Sequence, residues 1–401
     1  MRDLNTILIS EGMGMNLYRS LLVRFGIAFF FCGPLTAGAE VIFQEDFDSQ
    51  SDFTSTMHTL EKAQRVTTGH ILPEGWNALY QGTQWSPETG YPDNHASLEI
   101  LARNADKAYG GQGKSAVMWR ESYSLGWRNW ASDSQLMKYL EAGYDELYVE
   151  FDISFSENFY GRNNASNYAS KLFRIGSWTG EGSEFNGAAG ELGPVVIWDY
   201  KRDAYGLRNV ISFRGGPYGE YYYFKDQYAT DVSWSFSSDL RGMAVGGGDP
   251  ELYAVDGETP LVSMKASSVT HDDVFGPPGK WTKVAFYVKL NSQPGIADGV
   301  FRQWINGERI VNKENVPWIL ANDQNKMAKW NYFAIGGNDY FQPYDNSVRF
   351  EDWYAFDNVV VLNNMPGSVP VGDEAPETGA GGSVAPSSDM APAPPSNLSV
   401  Q

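Results

Sequence analysis

The sequence predicts an all-β fold, a two-sheet antiparallel β-sandwich of the jelly-roll type. Short segments that alternate apolar and polar residues recur from about residue 40 to residue 362, and Gly, Asn, Asp and Pro separate them. Aromatic residues make up 14% of the 401 residues, which supplies large side chains for a core. Such a core is needed because the one cysteine, Cys32, cannot form a disulfide within the chain.

The clearest strand is ELYVEFDISF (146–155), in which every second residue is apolar. KVAFYVKL (283–290) alternates in the same way, with Val284, Phe286, Val288 and Leu290 on one face. The other predicted strands are GPVVIWDY (193–200), VFRQWING (300–307), NYFAIGG (331–337) and FDNVVVL (356–362). SDSQLMKYLEAG (132–143) is the best helical candidate. Many antiparallel strands in about 320 residues favour two packed sheets, and we expect one outer face to form a concave groove.

Residues 1–39 are typical of a secretory signal peptide. Arg19 and Arg24 precede the apolar run FGIAFFFCGPL (25–35), and small residues at 37–39 suit cleavage. The run is too short to span a bilayer and ends in Gly-Pro. We therefore expect secretion, to the periplasm or outside the cell.

The expected domain boundaries follow from composition. Residues 40–362 form one jelly-roll domain, catalytic or carbohydrate-binding. Residues 363–401 are rich in Pro, Gly and Ser and contain no aromatic residue, as expected of a disordered tail or linker. The net charge of the chain is −19, which argues against nucleic acid and anionic membranes as partners. We expect a monomer.

The stretch ISFRGGPYGEYYYFKDQY (211–228) carries the most distinctive chemistry. On a strand at 210–214, Ser212 and Arg214 share one face. If residues 215–220 form a symmetric hairpin loop, Arg214 lies opposite Tyr221 and Ser212 opposite Tyr223. Opposed residues point to the same face, so all four side chains would project from one sheet surface. The tyrosines are equally typical of ordinary cross-strand packing.

An arginine beside two tyrosines suits the eliminative cleavage of a polyuronic acid. That reaction removes the C5 proton next to a carboxylate and expels the 4-linked sugar. The carboxylate needs a cation because negative charge builds up on it. A base takes the proton and an acid protonates the leaving oxygen, and tyrosine can serve in either role when cations lower its pKa. No cofactor is required.

The ordered set Lys171-Leu172, Ser212-x-Arg214 and Tyr221-x-Tyr223 resembles polysaccharide lyase family 14, the alginate and glucuronan lyases. The resemblance implies a jelly-roll fold and an active-site face that carries these five functional residues. VKLNSQPGIADGVFRQWINGE (288–308) is similar to a strand–turn–strand of these lyases and of concanavalin A-like proteins generally. Regular alternation places Lys171 with Phe173 and Ile175, and Arg174 on the opposite face.

Further residues are candidates for binding the polymer, each with a structural alternative. Arg120 is a candidate for a uronate carboxylate or a rim ion pair, and Trp198, Tyr200 and Trp304 for sugar stacking or core packing. Glu150, with Asp152, resembles the acidic strand of the jelly-roll glucanases of glycoside hydrolase family 16. The third acid comes only at Glu157, after Ser154 and Ser156, so the pattern fails and plain alternation explains both residues.

Metal and alternative functions complete the predictions. None of the histidines after residue 39 has the spacing of a metal site. A structural calcium is possible between Glu45, Asp46 and Asp48 near the first strand and Asp357 in the last, because Ca²⁺ prefers oxygen ligands. The alternatives to a lyase are a non-catalytic carbohydrate-binding module, which binds polymer without product, and a surface adhesion protein, which binds no sugar.

Overall fold

The structure is a computed structural model. It describes residues 38–55, 64–66, 71–81, 95–119, 131–157, 159, 168–178, 192–203, 206–214, 235–238, 263–264, 274, 279–316, 318–319, 328–340 and 353–367. Within these ranges, no helix is long and apolar enough to cross a membrane. The predicted signal peptide and tail lie largely outside the described residues and stay predictions, as do the domain boundaries.

The described residues are mostly β-strand. The strands are β1 (Val41–Glu45), β2 (Phe53–Thr54), β3 (Gln64–Val66), β4 (Ala78–Gln81), β5 (Leu98–Ile100), β6 (Ala116–Trp119), β7 (Ala131–Tyr144), β8 (Glu146–Phe155), β9 (Tyr168–Trp178), β10 (Leu192–Asp203), β11 (Gly206–Arg214), β12 (Ser235–Ser238), β13 (Ser263–Met264), β14 (Trp281–Lys289), β15 (Gly299–Ile305), β16 (Glu308–Val316), β17 (Trp330–Tyr340) and β18 (Trp353–Leu362). Short 3-10 helices span Ala102–Lys107 and Tyr109–Gly111.

These strands form two antiparallel sheets, so the predicted all-β sandwich is confirmed. Among the described strands, sheet A has the order β13-β16-β15-β14-β8-β18-β6-β5-β2, with β1 also paired to β18. Sheet B has the order β12-β11-β10-β9-β17-β7-β4-β3. Alternating strands of this kind place one face of each sheet in a shared core and leave an outer face on each side.

The predicted alternation of β8 and β14 is confirmed. All five apolar residues at odd positions of β8, and Val284, Phe286, Val288 and Leu290, belong to one buried core cluster. The core is rich in aromatic rings: Phe286, for example, stacks on Phe173 of the other sheet at a centroid distance of 5.0 Å. Contacts of this kind between the two sheets hold the sandwich together without a disulfide.

The predicted helix at 132–143 is wrong, because these residues lie in β7. Leu136 faces the main core, whereas the next residue, Met137, belongs to a separate cluster on the outer face of sheet B. Both faces of β7 are therefore apolar at this point. That hides the two-residue period, and the strong helix formers in the segment suggest a helix that tertiary packing overrides.

A buried carboxylate joins the 3-10 helix to sheet A. Glu99 of β5 is 1% exposed. Its Oε2 accepts hydrogen bonds from Asn104 Nδ2 (2.9 Å) and Trp119 Nε1 (3.0 Å) and contacts His95 Nδ1 (3.2 Å). Its Oε1 lies 3.0 Å from a guanidinium nitrogen of Arg103. Burial alone raises the pKa of Glu99, but the hydrogen bonds from His95 and Asn104 outweigh it and hold the pKa below its usual value.

Candidate functional site

The candidate site is the outer face of sheet B, the face turned away from the core. A small apolar cluster marks this face: Ala78, Met137, Val195, Ile197, Tyr332 and Ala334. Strand register shows which residues share it, because directly opposed residues point the same way. One row crosses the sheet through Ala78, Met137, Ala334, Arg174, Ile197 and the position of Ser212.

Arg174 is the centre of this row. It lies opposite Ala334 of β17 on one side and Ile197 of β10 on the other, both members of the outer-face cluster. It is only 3% exposed. Arg174 was not among the functional residues predicted from the sequence. An arginine is almost never fully buried without a partner charge or acceptor, and Arg174 is not without such a contact.

A β-bulge in β9 decides where Lys171 lies. Phe173 is opposite Trp198 of β10, but Lys171 is opposite the next residue, Asp199, so Leu172 is an extra residue in β9. Leu172 and Phe173 both belong to the main core. Two residues of one strand thus oppose one on its partner, which is the arrangement that defines a bulge.

The bulge reverses the predicted orientation of Lys171. Asp199 follows Ile197 by two residues in β10, so both are on the outer face, and Lys171 opposite Asp199 shares it. Lys171 is half-buried. The expectation that Lys171 and Arg174 lie on opposite faces is therefore wrong, because it assumed a regular strand. The two cations occupy one surface.

Two glycines of β17 accommodate the bulge. Gly336 has φ +81°, a left-handed conformation that favours glycine. Gly337 packs directly on Lys171: a Cβ atom at position 337 would lie 2.6 Å from the carbonyl carbon of Lys171 and 2.9 Å from its Cβ. Glycine at 337 thus allows β17 to pack closely against the backbone of Lys171.

Gln135 and Tyr80 extend the site toward the edge of sheet B. They lie opposite each other in β7 and β4, on the outer face with Met137 and Ala78. Gln135 is 2% exposed, and its Oε1 has no hydrogen-bond partner among the described residues. Burial raises the pKa of Tyr80, and the nearby charge of Arg174 lowers it by less. The Tyr80 hydroxyl is therefore protonated at neutral pH.

A second row runs parallel to the first. It passes through Tyr139, Tyr332, Gly176, Val195 and the position of Arg214. The ring of Tyr332 lies on Gly176, where a Cβ would be 2.5 Å from Tyr332 Cε1 and 2.6 Å from its hydroxyl oxygen. Glycine at 176 therefore lets the tyrosine cross the sheet surface toward β10.

The backbone of Ser212 and Arg214 lies in β11, and their side chains are outside what the structure describes. Ser212 is opposite Ile197 on one side and Ser235 of β12 on the other. The expected pairing of Ser212 with Tyr223 is therefore wrong, since β12 occupies that position. Tyr221 and Tyr223 lie outside the described residues, as does Arg120.

Trp198 and Tyr200 are core residues rather than sugar-binding ones. Both are 0% exposed and belong to the main core. Trp198 Nε1 donates a hydrogen bond to Asn209 Oδ1 (2.6 Å), and Asn209 Nδ2 donates to Gln303 Oε1 of sheet A (2.8 Å). A ring enclosed between the sheets cannot stack on a sugar, so the core-packing alternative holds for both.

Glu150 and Trp304 lie on the other sheet, on the outer face of sheet A. Trp304 is 2% exposed and meets the Tyr148 ring edge-on at 6.1 Å. Glu150 accepts a hydrogen bond from the Tyr148 hydroxyl (2.7 Å) and pairs with Lys283 (3.0 Å). Lys283 also lies 3.6 Å from Asp152. The structure therefore does not bring either residue to Lys171 and Arg174, and the paired acids have a structural partner.

The proposed calcium ligands lie near each other without forming a metal cluster. Burial raises the pKa of Asp357 to about 7, with smaller contributions from the carboxylates of Asp48 and Asp152. Both oxygens of Asp357 accept backbone hydrogen bonds, from Tyr109 and Asn358. Within the described residues, no three His, Cys, Asp or Glu side chains are arranged to hold a metal ion. Calcium stays a prediction of the sequence.

Comparisons with solved structures find similarities at low sequence identity. The chain is similar to a variant of the alginate lyase Aly36B in complex with an alginate trisaccharide, at 12% identity over 76% of this chain and 100% of that one, with a TM-score of 0.34. It is similar to the alginate lyase AlyC3 at 9% identity over 75% and 89% of the two chains, with a TM-score of 0.36. It is also similar to an endo-1,3-β-glucanase from Streptomyces sioyaensis, at 10% identity over 81% of this chain and 96% of that one, with a TM-score of 0.40.

No family model and no curated protein matches the sequence. The structural neighbours include lyases, hydrolases and a neurotoxin binding domain at low identity, and one fold can host many reactions. The chemistry must be argued from this chain's own residues.

Proposed function

We propose that the protein is a secreted, monomeric polysaccharide lyase that cleaves a uronate-containing polymer by β-elimination on the outer face of sheet B. One observation carries the proposal: the bulge at Leu172 brings Lys171 and Arg174 onto one surface. Acidic residues outnumber basic ones in this chain, which has a net charge of −19, so two cations on one sheet face suit an anionic ligand.

The local charge supports this reading. In β9 and β10, the described side chains on this face include two cations, Lys171 and Arg174, and the carboxylate of Asp199. The backbone of Arg214 lies opposite Val195, at the end of the second row. The rest of the protein repels a polyanion, but salt screens that repulsion beyond about 10 Å at 0.1 M. The attraction between the bound polymer and the cations next to it acts at short range, so salt screens it less and it contributes to binding.

Each residue then has a role in the elimination. Lys171, which is half-buried, contacts the uronate carboxylate, and the buried charge of Arg174 adds positive potential beside it. A base removes the C5 proton, a double bond forms between C4 and C5, and the C4–O bond breaks. Tyr221 or Tyr223 is the proposed base. Tyr80, which burial keeps protonated, is suited to donate a proton to the leaving oxygen.

Gln135 and Ser212 would position the sugar. The Gln135 Oε1 is a buried acceptor with no partner among the described residues, and an unpaired buried acceptor costs free energy. A sugar hydroxyl donating to it would remove that cost. Ser212 lies in the same row as Arg174, one strand beyond Ile197.

The first test is ultraviolet absorbance of the purified protein with alginate, glucuronan, pectate and glycosaminoglycans. A lyase gives a rising signal from the unsaturated uronate product, and the polymer that responds identifies the substrate. Arg174→Met and Lys171→Met should each lower the rate at least tenfold. Lys289→Met is the matched control, because Lys289 is an exposed lysine of sheet A.

Two results would contradict the proposal. Full activity in a protein with phenylalanine at both Tyr221 and Tyr223 would remove the proposed base. A flat trace from folded protein on every polymer, with measurable affinity for one of them, would identify a carbohydrate-binding module instead.

A further inference from the structure

An aromatic pair lies at one end of the outer face of sheet B. The rings of Tyr139 and Trp178 are 5.3 Å apart between centroids and tilted by 41°. Both are half-buried and pack against the cluster that contains Met137 and Tyr332. They therefore keep part of their ring surface exposed on the same face as the cations.

The alternation of the strands places this pair relative to Arg174. In β9, Arg174, Gly176 and Trp178 follow each other at two-residue intervals and share the outer face. Trp178 is four residues from Arg174, which is about 13 Å at the usual rise of a strand. That separation is longer than one sugar ring and corresponds to a short oligosaccharide.

Two asparagine side chains fix the backbone of the pair. Asn331 Oδ1 accepts a hydrogen bond from the Trp178 backbone N–H (2.9 Å), and Asn331 Nδ2 donates to the Trp178 carbonyl (2.7 Å). Asn77 Oδ1 accepts one from the Tyr139 N–H (2.9 Å). Trp178 is the last residue of β9, and strand ends normally fray, so the two hydrogen bonds from Asn331 hold this ring against Tyr139 in the absence of a ligand.

We propose that Tyr139 and Trp178 form a stacking platform for one pyranose ring of the polymer, at a subsite separate from the Lys171–Arg174 pair. The inference rests on the proposed function, which supplies the polymer. The C–H face of a pyranose is apolar and packs on an aromatic ring, while the hydroxyls at its rim stay in water. Asn331 is a positioning residue for the platform.

The platform predicts a dependence of affinity on chain length. Calorimetry with uronate oligosaccharides from disaccharide to hexasaccharide would use the Tyr221→Phe/Tyr223→Phe protein, so that the ligands are not cleaved. Affinity should increase once an oligosaccharide spans the distance from Arg174 to Trp178. Trp178→Ala should remove about tenfold of affinity for the long ligands, the usual scale for an aromatic anchor. It should leave the disaccharide unchanged.

Matched variants separate stacking from folding. Trp178→Phe keeps a ring and should retain part of the increase, and Tyr139→Phe keeps the ring but loses the hydroxyl and should retain nearly all of it. Asn331→Ala should weaken the long ligands only, with an unchanged affinity for the disaccharide. An increase with chain length that survives Trp178→Ala in folded protein would overturn the proposal, as would the absence of any increase.

Failure of the lyase proposal has a different signature. Lys171→Met should weaken binding at every chain length, because it acts on the charge of the ligand. If no uronate oligosaccharide binds, neutral β-gluco-oligosaccharides test the platform on its own. Binding that Trp178→Ala abolishes would keep the platform and refute the uronate substrate, and binding of neither class would refute both.

Discussion

Replacing Gly337 by alanine tests the link between the bulge and the site. A Cβ there would lie 2.6 Å from the carbonyl carbon of Lys171. Carbon atoms pack best at about 3.5–4.0 Å, so β17 and β9 would have to separate by roughly 1 Å. The new methyl group would meet three atoms of Lys171, namely its carbonyl oxygen, its carbonyl carbon and its Cβ, and no rotamer change can relieve these contacts.

The magnitude follows from that displacement. Overpacking of a well-packed site costs about 1–3 kcal/mol. In a domain of about 320 residues that corresponds to a fall in Tm of roughly 2–5 °C. A catalytic group displaced by about 1 Å can lose 10²-fold in rate, so the lyase rate should fall far more than the stability does.

Calorimetric unfolding and the absorbance assay measure the two effects on the same protein. Gly367→Ala is the control, because no atom lies within 4 Å of a Cβ at that position. If Gly337→Ala matches Gly367→Ala in both Tm and rate, the close approach of β17 to Lys171 is not real. If Tm falls and the rate does not, Lys171 has no part in catalysis.

Three other measurements address separate features. Gly176→Ala should push the Tyr332 ring off β9 and cost about 1–3 kcal/mol by chemical denaturation; an unchanged midpoint would contradict the packing seen here. Because the pKa of Glu99 is lowered in the folded state, its contribution to the free energy of unfolding is present at neutral pH and is lost as pH falls through the folded-state pKa. Tm should therefore drop below about pH 5 in the wild type and less steeply in Glu99→Gln. Parallel plots of Tm against pH for the two proteins would refute this. Calcium at a hundred times its Kd should stabilise the fold by about 2.7 kcal/mol if it binds beside Asp357, and Asp357→Asn should abolish the shift; no shift in the wild type would remove the site.

The sandwich was predictable because most of its strands have one solvent-facing side and one side buried in the core. β8 follows a strict two-residue period, and its bounds match the predicted segment (146–155). β7 was missed for the opposite reason: Leu136 and Met137 are neighbours that pack on different sides of the sheet. When both faces of a strand are apolar, its sequence does not alternate between apolar and polar residues, and the helix propensity of its residues then favours a wrong prediction of helix.

The site was harder to predict because one inserted residue changes which side chains share a face. Leu172 and Phe173 are adjacent large apolar residues, and that doublet was the available signal of a bulge. Without the bulge, Lys171 is assigned to the core and Arg174 to the outside. Gln135 was missed with the strand that carries it. Trp198 carried no signal at all that distinguishes a core tryptophan from a binding one.

The pairing of β1 with β18 has a mechanical consequence. Val41 lies opposite Leu362, and the Glu40 N–H donates to the Asn363 side chain, so the two ends of the strand pair are side by side. A pull on the chain before β1 and after β18 therefore loads one hydrogen bond at a time, as in opening a zipper, rather than the whole ladder in shear. Tension between these ends would peel β1 from sheet A at low force and leave the strands of sheet B unstretched.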